Sequence, residues 1–151
     1  MKRNQLFKLM NWWPPFLGAG IRLTHISQDL SEIDVCMKLS FFNRNYVGVQ
    51  FGGSLYAMTD PFLMLMLMEN LGRDYIVWDK AASIQFLKPG RGRVHCQFRL
   101  HPSEVANIKQ AADTNHKTEP EFHLEILDEN EVVIAKVHKT LYVRRKEDRS
   151  I

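Results

Sequence analysis

One stretch of the chain combines a loop amide, two glycines and a carboxylate in an order that carbonyl chemistry could use. Asn45 lies in a polar loop, Gly52 and Gly53 precede an apolar run, and Asp60 lies inside that run. Amides at a helix start are free and carry positive partial charge, so a glycine pair there could bind an oxyanion closely. Asp60 could attack a carbonyl or take a proton from water.

Each of these residues also has an ordinary structural explanation. Asp60 followed by Pro61 is a common helix start, with the aspartate as cap and the proline at the first position. The pair Gly52–Gly53 alone is typical of a tight turn, and asparagine is common in loops. The residues by themselves leave both a catalytic and a structural role open.

The segment after Gly53 is the most apolar part of the chain, so the rest of the chain is expected to pack around it. Its apolar residues fall on every side of a helical wheel, which predicts one long helix buried on all sides. Gly72 is predicted to end this helix. The run after Asp60 is too short to cross a bilayer.

Alternating apolar and polar residues predict about six strands around the helix. These strands cover residues 21–28, 33–39, 75–88, 93–101, a segment marked by Phe122, Leu124 and Ile126, and 131–144. The fold class is therefore α+β: a curved antiparallel sheet wrapped around one long buried helix, in one domain over residues 1–151.

Smaller elements are predicted at both ends of the chain and between the strands. Residues 1–10 contain a short N-terminal helix, and residues 147–151 form a flexible tail. Trp12, Trp13 and Phe16 are predicted to close one end of the core. Ser103 is predicted to cap a short helix that runs to about Ala112, before a polar loop over residues 113–119.

Composition argues against several classes of partner. The net charge is only +3 and basic residues are mixed with acidic ones, so no nucleic-acid partner is expected. No signal peptide or membrane span is recognisable, which predicts a cytoplasmic protein. Two cysteines without metal spacing predict buried thiols, and no metal site is expected. Surface or structural roles are predicted for five scattered histidines: His95, His101, His116, His123 and His138.

The central stretch resembles a known motif. Asn45-x-x-Gly48-x-x-Phe51-Gly52-Gly53, followed by Asp60, resembles the hotdog-fold acyl-CoA thioesterases of the phenylacetate-pathway type, which have His at the position of Phe51. The chain is more similar still to an uncharacterised bacterial hotdog family labelled tetrameric acyl-CoA thioesterase. That similarity lies in residues 11–16, 51–62, 79–82, 86–92 and 139–145.

The resemblance implies hydrolysis of an acyl-CoA to free acid and CoA, in a homodimer or homotetramer, with no cofactor beyond the coenzyme A of the substrate. It implies that Asp60 is the catalytic carboxylate, that Gly53 supplies the oxyanion amide, and that Asn45 orients the carbonyl or water. The substrate would also be contacted by Phe51, Gly52 and Tyr56. A catalytically silent protein that binds acyl-CoA or a fatty acyl group is the alternative, because Phe51 replaces a polar residue.

Three cations on one turn, Lys88, Arg91 and Arg93, are candidates to hold the CoA phosphates. The other explanation is a solvated turn. Spacing adds a prediction about assembly: on one straight helix, Gly53 and Asp60 are separated by about 10 Å. Each site is therefore predicted to combine Gly53 of one subunit with Asp60 of its partner.

Overall fold

The computed structural model describes residues 3–147, and the predicted tail lies outside this range except for Glu147. The helices are α1 (Arg3–Lys8), α2 (Pro14–Ala19), α3 (Gly52–Ala57), α4 (Phe62–Leu71) and α5 (Pro102–Asn115), with a 3₁₀ turn at Leu9–Trp12. The strands are β1 (Ile21–Ile26), β2 (Glu32–Met37), β3 (Tyr75–Phe86), β4 (Val94–Arg99), β5 (Lys117–Thr118), β6 (Glu121–Asp128) and β7 (Val133–Arg145).

The strands form one antiparallel sheet in the order β1-β2-β4-β6-β7-β3, and the two-residue β5 pairs with β7 beside this path. The inward side chains of the strands and the central helices form a single core. The predicted fold class, a curved antiparallel sheet with a buried helical segment, is confirmed. The outer edge of β3 is not paired with another strand among residues 3–147.

The central helix is divided in two, which corrects the prediction of one continuous helix. The chain leaves α3 after Ala57, and the amides of Thr59 and Asp60 bond back only three residues, to Tyr56 and Ala57. Pro61 explains the break, because proline has no amide hydrogen and disfavours helical geometry in the residue before it. A new helix starts at Phe62, with Pro61 rather than Asp60 at the cap position and no side-chain cap.

Burial of α4 is also one-sided rather than complete. Phe62, Leu63, Met66 and Leu67 are buried against the sheet, whereas the side chain of Met68 is 42% exposed. Met64 and Leu65 on the remaining faces are only partly buried and pack at the margin of the core. Gly72 ends the helix as predicted, at φ 89°, a conformation that favours glycine.

Two predictions at the ends of elements need correction. Of the three aromatic residues predicted to close one end of the core, Phe16 is buried, whereas Trp12 and Trp13 are 74% and 49% exposed; Trp13 lies at the start of α2 and packs edge-on against Phe16. The helix predicted from Ser103 starts instead at Pro102, with no side-chain cap, and continues through the predicted loop to Asn115. None of the helices among residues 3–147 is long and apolar enough to cross a membrane.

Candidate functional site

The carboxylate of Asp60 lies in the turn between α3 and α4. Its side chain is 50% exposed, and its Oδ1 accepts a hydrogen bond of 3.1 Å from the hydroxyl of Tyr56, one helical turn earlier. Burial, together with the nearby charge and hydrogen bond of Asp60, raises the pKa of Tyr56 to about 12. The tyrosine therefore stays protonated at neutral pH and remains a donor to the carboxylate.

A fully buried lysine lies behind this turn. Lys139 is on the inner face of β7 with no exposed surface, and its ammonium donates to the main-chain carbonyls of Thr59 and Asp60. Its Nζ lies 3.0 Å from Oδ1 of Asp79 and 3.8 Å from Oδ1 of Asp60. The turn before Pro61 leaves carbonyls that no helix amide satisfies, and Lys139 supplies the missing donor.

Asp79 completes the buried charge cluster from the neighbouring strand β3. Its Oδ1 forms an ion pair with the Lys139 ammonium at 3.0 Å, and no donor among the described residues is aligned for a hydrogen bond to it. Burial raises the pKa of Asp79 above its ordinary value, and the charge of Lys139 opposes this rise. A register shift between Asp79 and Ala81, which leaves Lys80 unpaired, interrupts the strand beside the cluster.

The glycine pair forms the other end of α3. In the described part of the chain, neither Gly52 nor Gly53 donates its amide to another protein group. Rings pack closely on both positions: an added Cβ would lie 3.1 Å from Cζ of Phe86 at Gly52 and 2.7 Å from Cε1 of Phe51 at Gly53, so a side chain at either position would have to displace a ring. The amides are available for an oxyanion, with the half-exposed Phe51 ring beside them.

Asn45 organises the loop that leads into α3. Its Oδ1 accepts hydrogen bonds from the amides of Val47 and Val49, both at 3.1 Å. The same residue lines a cleft of about 330 Å³ with Gly52 and Lys88. Asn45 therefore has the loop role that any asparagine could have, and it also lines the cleft beside Gly52.

The three cations of the Lys88–Arg93 turn do not act as one group. Lys88 lines the cleft beside Gly52, and Arg91 is exposed. Arg93 instead donates to Sγ of Cys36 at 3.1 Å, on strand β2. Lys88 therefore lines the cleft, whereas Arg91 and Arg93 are exposed on the same turn, and Arg93 also contacts Cys36.

The structure thus divides the predicted residues into two groups. Asp60 and Tyr56 meet at the break in the central helix, while Asn45, Gly52 and Lys88 line the cleft, and Asp60 is not among the residues of that cleft. Gly53 and Phe51 lie together at the start of α3, beside the cleft group. One chain does not place the carboxylate in the cleft.

Residues 2–143 match a family described as a domain of unknown function, DUF4442. The chain belongs to this family. No curated protein sequence matches the chain.

Solved structures share the fold of this DUF4442 protein. A Pseudomonas aeruginosa protein of unknown function, described as a probable thioesterase, is 18% identical, with a TM-score of 0.82 over 95% of this chain and 96% of its own. A Haemophilus influenzae thioesterase is 14% identical (TM-score 0.67; 97% and 94% covered). A Chlorobaculum tepidum protein of unknown function is 14% identical (TM-score 0.74; 94% of each chain). At these identities the similarity shows the fold.

Sequence reasoning missed Lys139 and Asp79 in this DUF4442 protein. The signal was present in the alternation of β7, where Val137, Lys139 and Leu141 occupy successive inward positions. A lysine at an inward position of an apolar strand is rarely buried without a partner. The partner itself lies on another strand, so the local pattern could not name it.

Proposed function

We propose that this chain hydrolyses acyl-CoA thioesters in a homodimer in which each site is completed by both subunits. The observation that carries the proposal is the half-exposed carboxylate of Asp60, fixed by Tyr56 and by the contacts of the buried Lys139 with its main chain. Free amides at Gly52 and Gly53 supply the second group that thioester hydrolysis needs. The proteins from P. aeruginosa and H. influenzae that share the fold are described as thioesterases, which supports this choice.

In the proposed reaction, the thioester carbonyl accepts a hydrogen bond from the amide of Gly53. The negative charge that develops on the carbonyl oxygen is therefore stabilised by a donor that is already in place. Asp60 then acts in one of two ways. As a base, it takes a proton from the water that attacks the carbonyl, and that proton goes to the departing CoA sulfur. As a nucleophile, it forms an anhydride, expels CoA, and is released when water cleaves the anhydride.

Isotope labelling can identify the nucleophilic mode by label on Asp60, whereas label only in the released acid fits a base or an anhydride that water cleaves at the acyl carbonyl. A single turnover in H₂¹⁸O puts the label into the released acid if Asp60 is a base. If Asp60 is the nucleophile and water attacks the carbonyl that Asp60 contributes to the anhydride, the label remains on Asp60. Mass spectrometry of the digested protein then detects it.

An unpaired edge supports the homodimer. Strand β3 is 12 residues long, its outer side has no strand neighbour among residues 3–147, and Trp78 and Phe86 on it are 43% and 56% exposed. An unpaired edge of this length can pair with a strand of another chain. A two-fold pairing of β3 with its copy brings the Asp60 side of each subunit toward its partner.

Hydrolysis is tested by thiol release from a panel of acyl-CoAs, together with thermal shift by the same compounds. Asp60→Asn should lower kcat at least about 100-fold, the usual contribution of a positioned base. The matched control is Asp74→Asn, which removes an exposed carboxylate between α4 and β3 and should keep full activity. Equal activity of the two variants would remove Asp60 from the reaction.

Sharing of the site is tested by mixing two inactive variants. Refolding Asp60→Ala with Asn45→Ala in equal amounts makes about half of the dimers mixed, each with one site that carries both lesions and one intact site. About a quarter of wild-type activity should return. Confirmed subunit exchange with no recovered activity would show that both residues serve the same site from one chain.

Binding of CoA is tested at the cleft. Lys88→Ala with Arg91→Ala should raise KM in a salt-sensitive way with little change in kcat, because these charges contact a part of the substrate that does not react. Arg93→Ala is the control, since its guanidinium donates to Cys36 instead. A KM unchanged at low salt would assign the CoA phosphates to other residues.

Binding of acyl-CoA without hydrolysis is the second candidate function. It is favoured by Phe51, whose ring packs on Gly53 where the resembled enzymes have a polar histidine. Thermal stabilisation by acyl-CoA with no thiol release would support this candidate over the hydrolase. Phe51→His should then gain activity if only the missing polar group silences the site.

A further inference from the structure

A second group of chemically active side chains lies on the outward face of the sheet, away from the candidate site. His123 on β6 is directly opposite His138 on β7, and the two rings stack at 4.6 Å between centroids with an angle of 11°. Glu121 is two residues before His123 and therefore on the same face of its strand. The carboxylate and imidazole ligand atoms of these three residues all lie within 4.8 Å of one another.

One nitrogen of His138 in this group has no hydrogen-bond partner in the part of the chain that the structure describes. The Nε2 atom of His138 is buried and forms no hydrogen bond with the described residues. The carboxylate of Glu121 approaches it to 3.3 Å without forming one. Buried polar atoms nearly always have a partner, and this imidazole nitrogen, beside a second imidazole and a carboxylate, is placed where it could bind a ligand.

We propose that Glu121, His123 and His138 form a binding site for a divalent transition-metal ion such as Zn²⁺, with water as the fourth ligand. Two imidazoles and one carboxylate are ligands typical of Zn²⁺ and not of Ca²⁺ or Mg²⁺, which prefer oxygen. The metal would supply the partner that Nε2 of His138 lacks. It would clamp β6 to β7 and stabilise the folded chain, because the unfolded chain does not hold the three ligands together.

The geometry allows the site to close on a metal. Bonds of about 2.0–2.1 Å in a tetrahedral site place ligand atoms about 3.4 Å apart, so separations that now reach up to 4.8 Å must shrink by as much as about 1.4 Å. Glu121 and His123 are exposed, so their side chains can rotate to make this adjustment. The next cation on the same face, Lys136, lies 3.9 Å from Glu125, which reduces its repulsion of a metal.

The site is independent of the proposed hydrolysis. Alternation along β7 puts His138 outward and the neighbouring Lys139 inward, so the two clusters lie on opposite faces of the sheet. Loss of metal binding therefore would not imply loss of thioesterase activity, and the absence of hydrolysis would leave the metal site standing.

The test is calorimetric titration of the tag-free, chelator-treated full-length protein with ZnCl₂. We expect one Zn²⁺ per chain and a rise in Tm with added zinc. His123→Gln and His138→Gln should each weaken binding by at least about 10-fold, since even indirect support of a metal ligand contributes that much. His101→Gln, an exposed histidine elsewhere, is the matched control and should bind as the wild type does.

Replacement of Zn²⁺ by Co²⁺ gives a spectroscopic readout of the ligands. An intense visible absorption from four-coordinate Co²⁺ should appear in the wild type and disappear in the double variant His123→Gln/His138→Gln. Thermal unfolding without metal checks that the variants are folded. The proposal is overturned if zinc does not bind at about 1 mM, or if the double variant binds it with wild-type affinity.

Discussion

Replacing Lys139 by Met tests whether the buried ammonium holds the carboxylate end of the site together. At an effective dielectric of 20, unit charges 3.0 Å apart, as for Lys139 and Asp79, attract by about 5.5 kcal/mol before desolvation is subtracted. Methionine is unbranched and only one heavy atom shorter than lysine, and it loses every polar contact. We expect Lys139→Met to lower the free energy of unfolding by about 3 kcal/mol. This is the lower end of the range for a buried charge that has lost its partner, because the side chain of Asp79 is still 23% exposed to water.

A second substitution and a pH series identify the cause. Asp79→Asn in the Lys139→Met background removes the stranded charge and should recover much of the loss. Burial already raises the pKa of Asp79, and without Lys139 this pKa must rise further. When the pKa of a carboxyl is higher in the folded state, the folded protein becomes less stable as the pH rises. The loss begins near the unfolded pKa, about 3.9, and is complete above the folded pKa. The loss of stability caused by Lys139→Met should therefore be larger at pH 7 than near pH 4.

Urea unfolding at fixed protein concentration, followed by tryptophan fluorescence, measures these effects. The matched control is Lys136→Met on the same strand, whose side chain is 55% exposed and pairs with Glu125 at 3.9 Å. An exposed pair of this kind contributes at most about 1 kcal/mol. The reasoning is refuted if the two methionine variants are equally stable, or if Asp79→Asn restores nothing.

Three further substitutions or reactions test single contacts. Gly53→Ala should lower kcat/KM with little change in urea stability, because its Cβ would lie 2.7 Å from the movable ring of Phe51; a large stability loss would contradict this. Tyr56 has its pKa raised from 10.0 to about 12, so the wild type loses stability between these pH values. In unfolding measurements, Tyr56→Phe should lose less stability than the wild type between these pH values. An identical dependence of stability on pH in the two proteins would refute this prediction. Burial raises the pKa of Cys96 to about 12, so its reaction with a thiol reagent should be slow until the chain unfolds; rapid labelling of the native protein would argue otherwise.

The strands were predictable because one face of each is buried and alternation reports this directly. In β4, Val94, Cys96 and Phe98 alternate with polar residues, and all three are buried. The break in the central helix was not recognised, since an apolar run carries no information on where a helix stops. Pro61 carried that information, but it fits equally well the first position of a helix and the end of the one before it.

The site was predictable where it depends on local sequence and not where it depends on pairing between strands. Asp60 and Tyr56 are four residues apart, so one helical turn brings them together. Asp79 and Lys139 are 60 positions apart, and only the pairing of β3 with β7 makes them neighbours. The same limit applies to His123 and His138, which appear scattered in the sequence and lie directly opposite each other in the sheet.

The broken helix changes the argument for a shared site. The separation of about 10 Å between Gly53 and Asp60 assumed one straight helix, whereas α3 ends at Ala57 and the chain turns before Asp60. What separates the groups instead is the surface that each occupies: the glycines border the cleft, and the carboxylate lies at the turn held by Lys139. Because Lys139 joins that turn to Asp79 on the open edge strand β3, the carboxylate is anchored to the edge at which a second sheet would pair. Assembly and catalysis would then depend on the same strand.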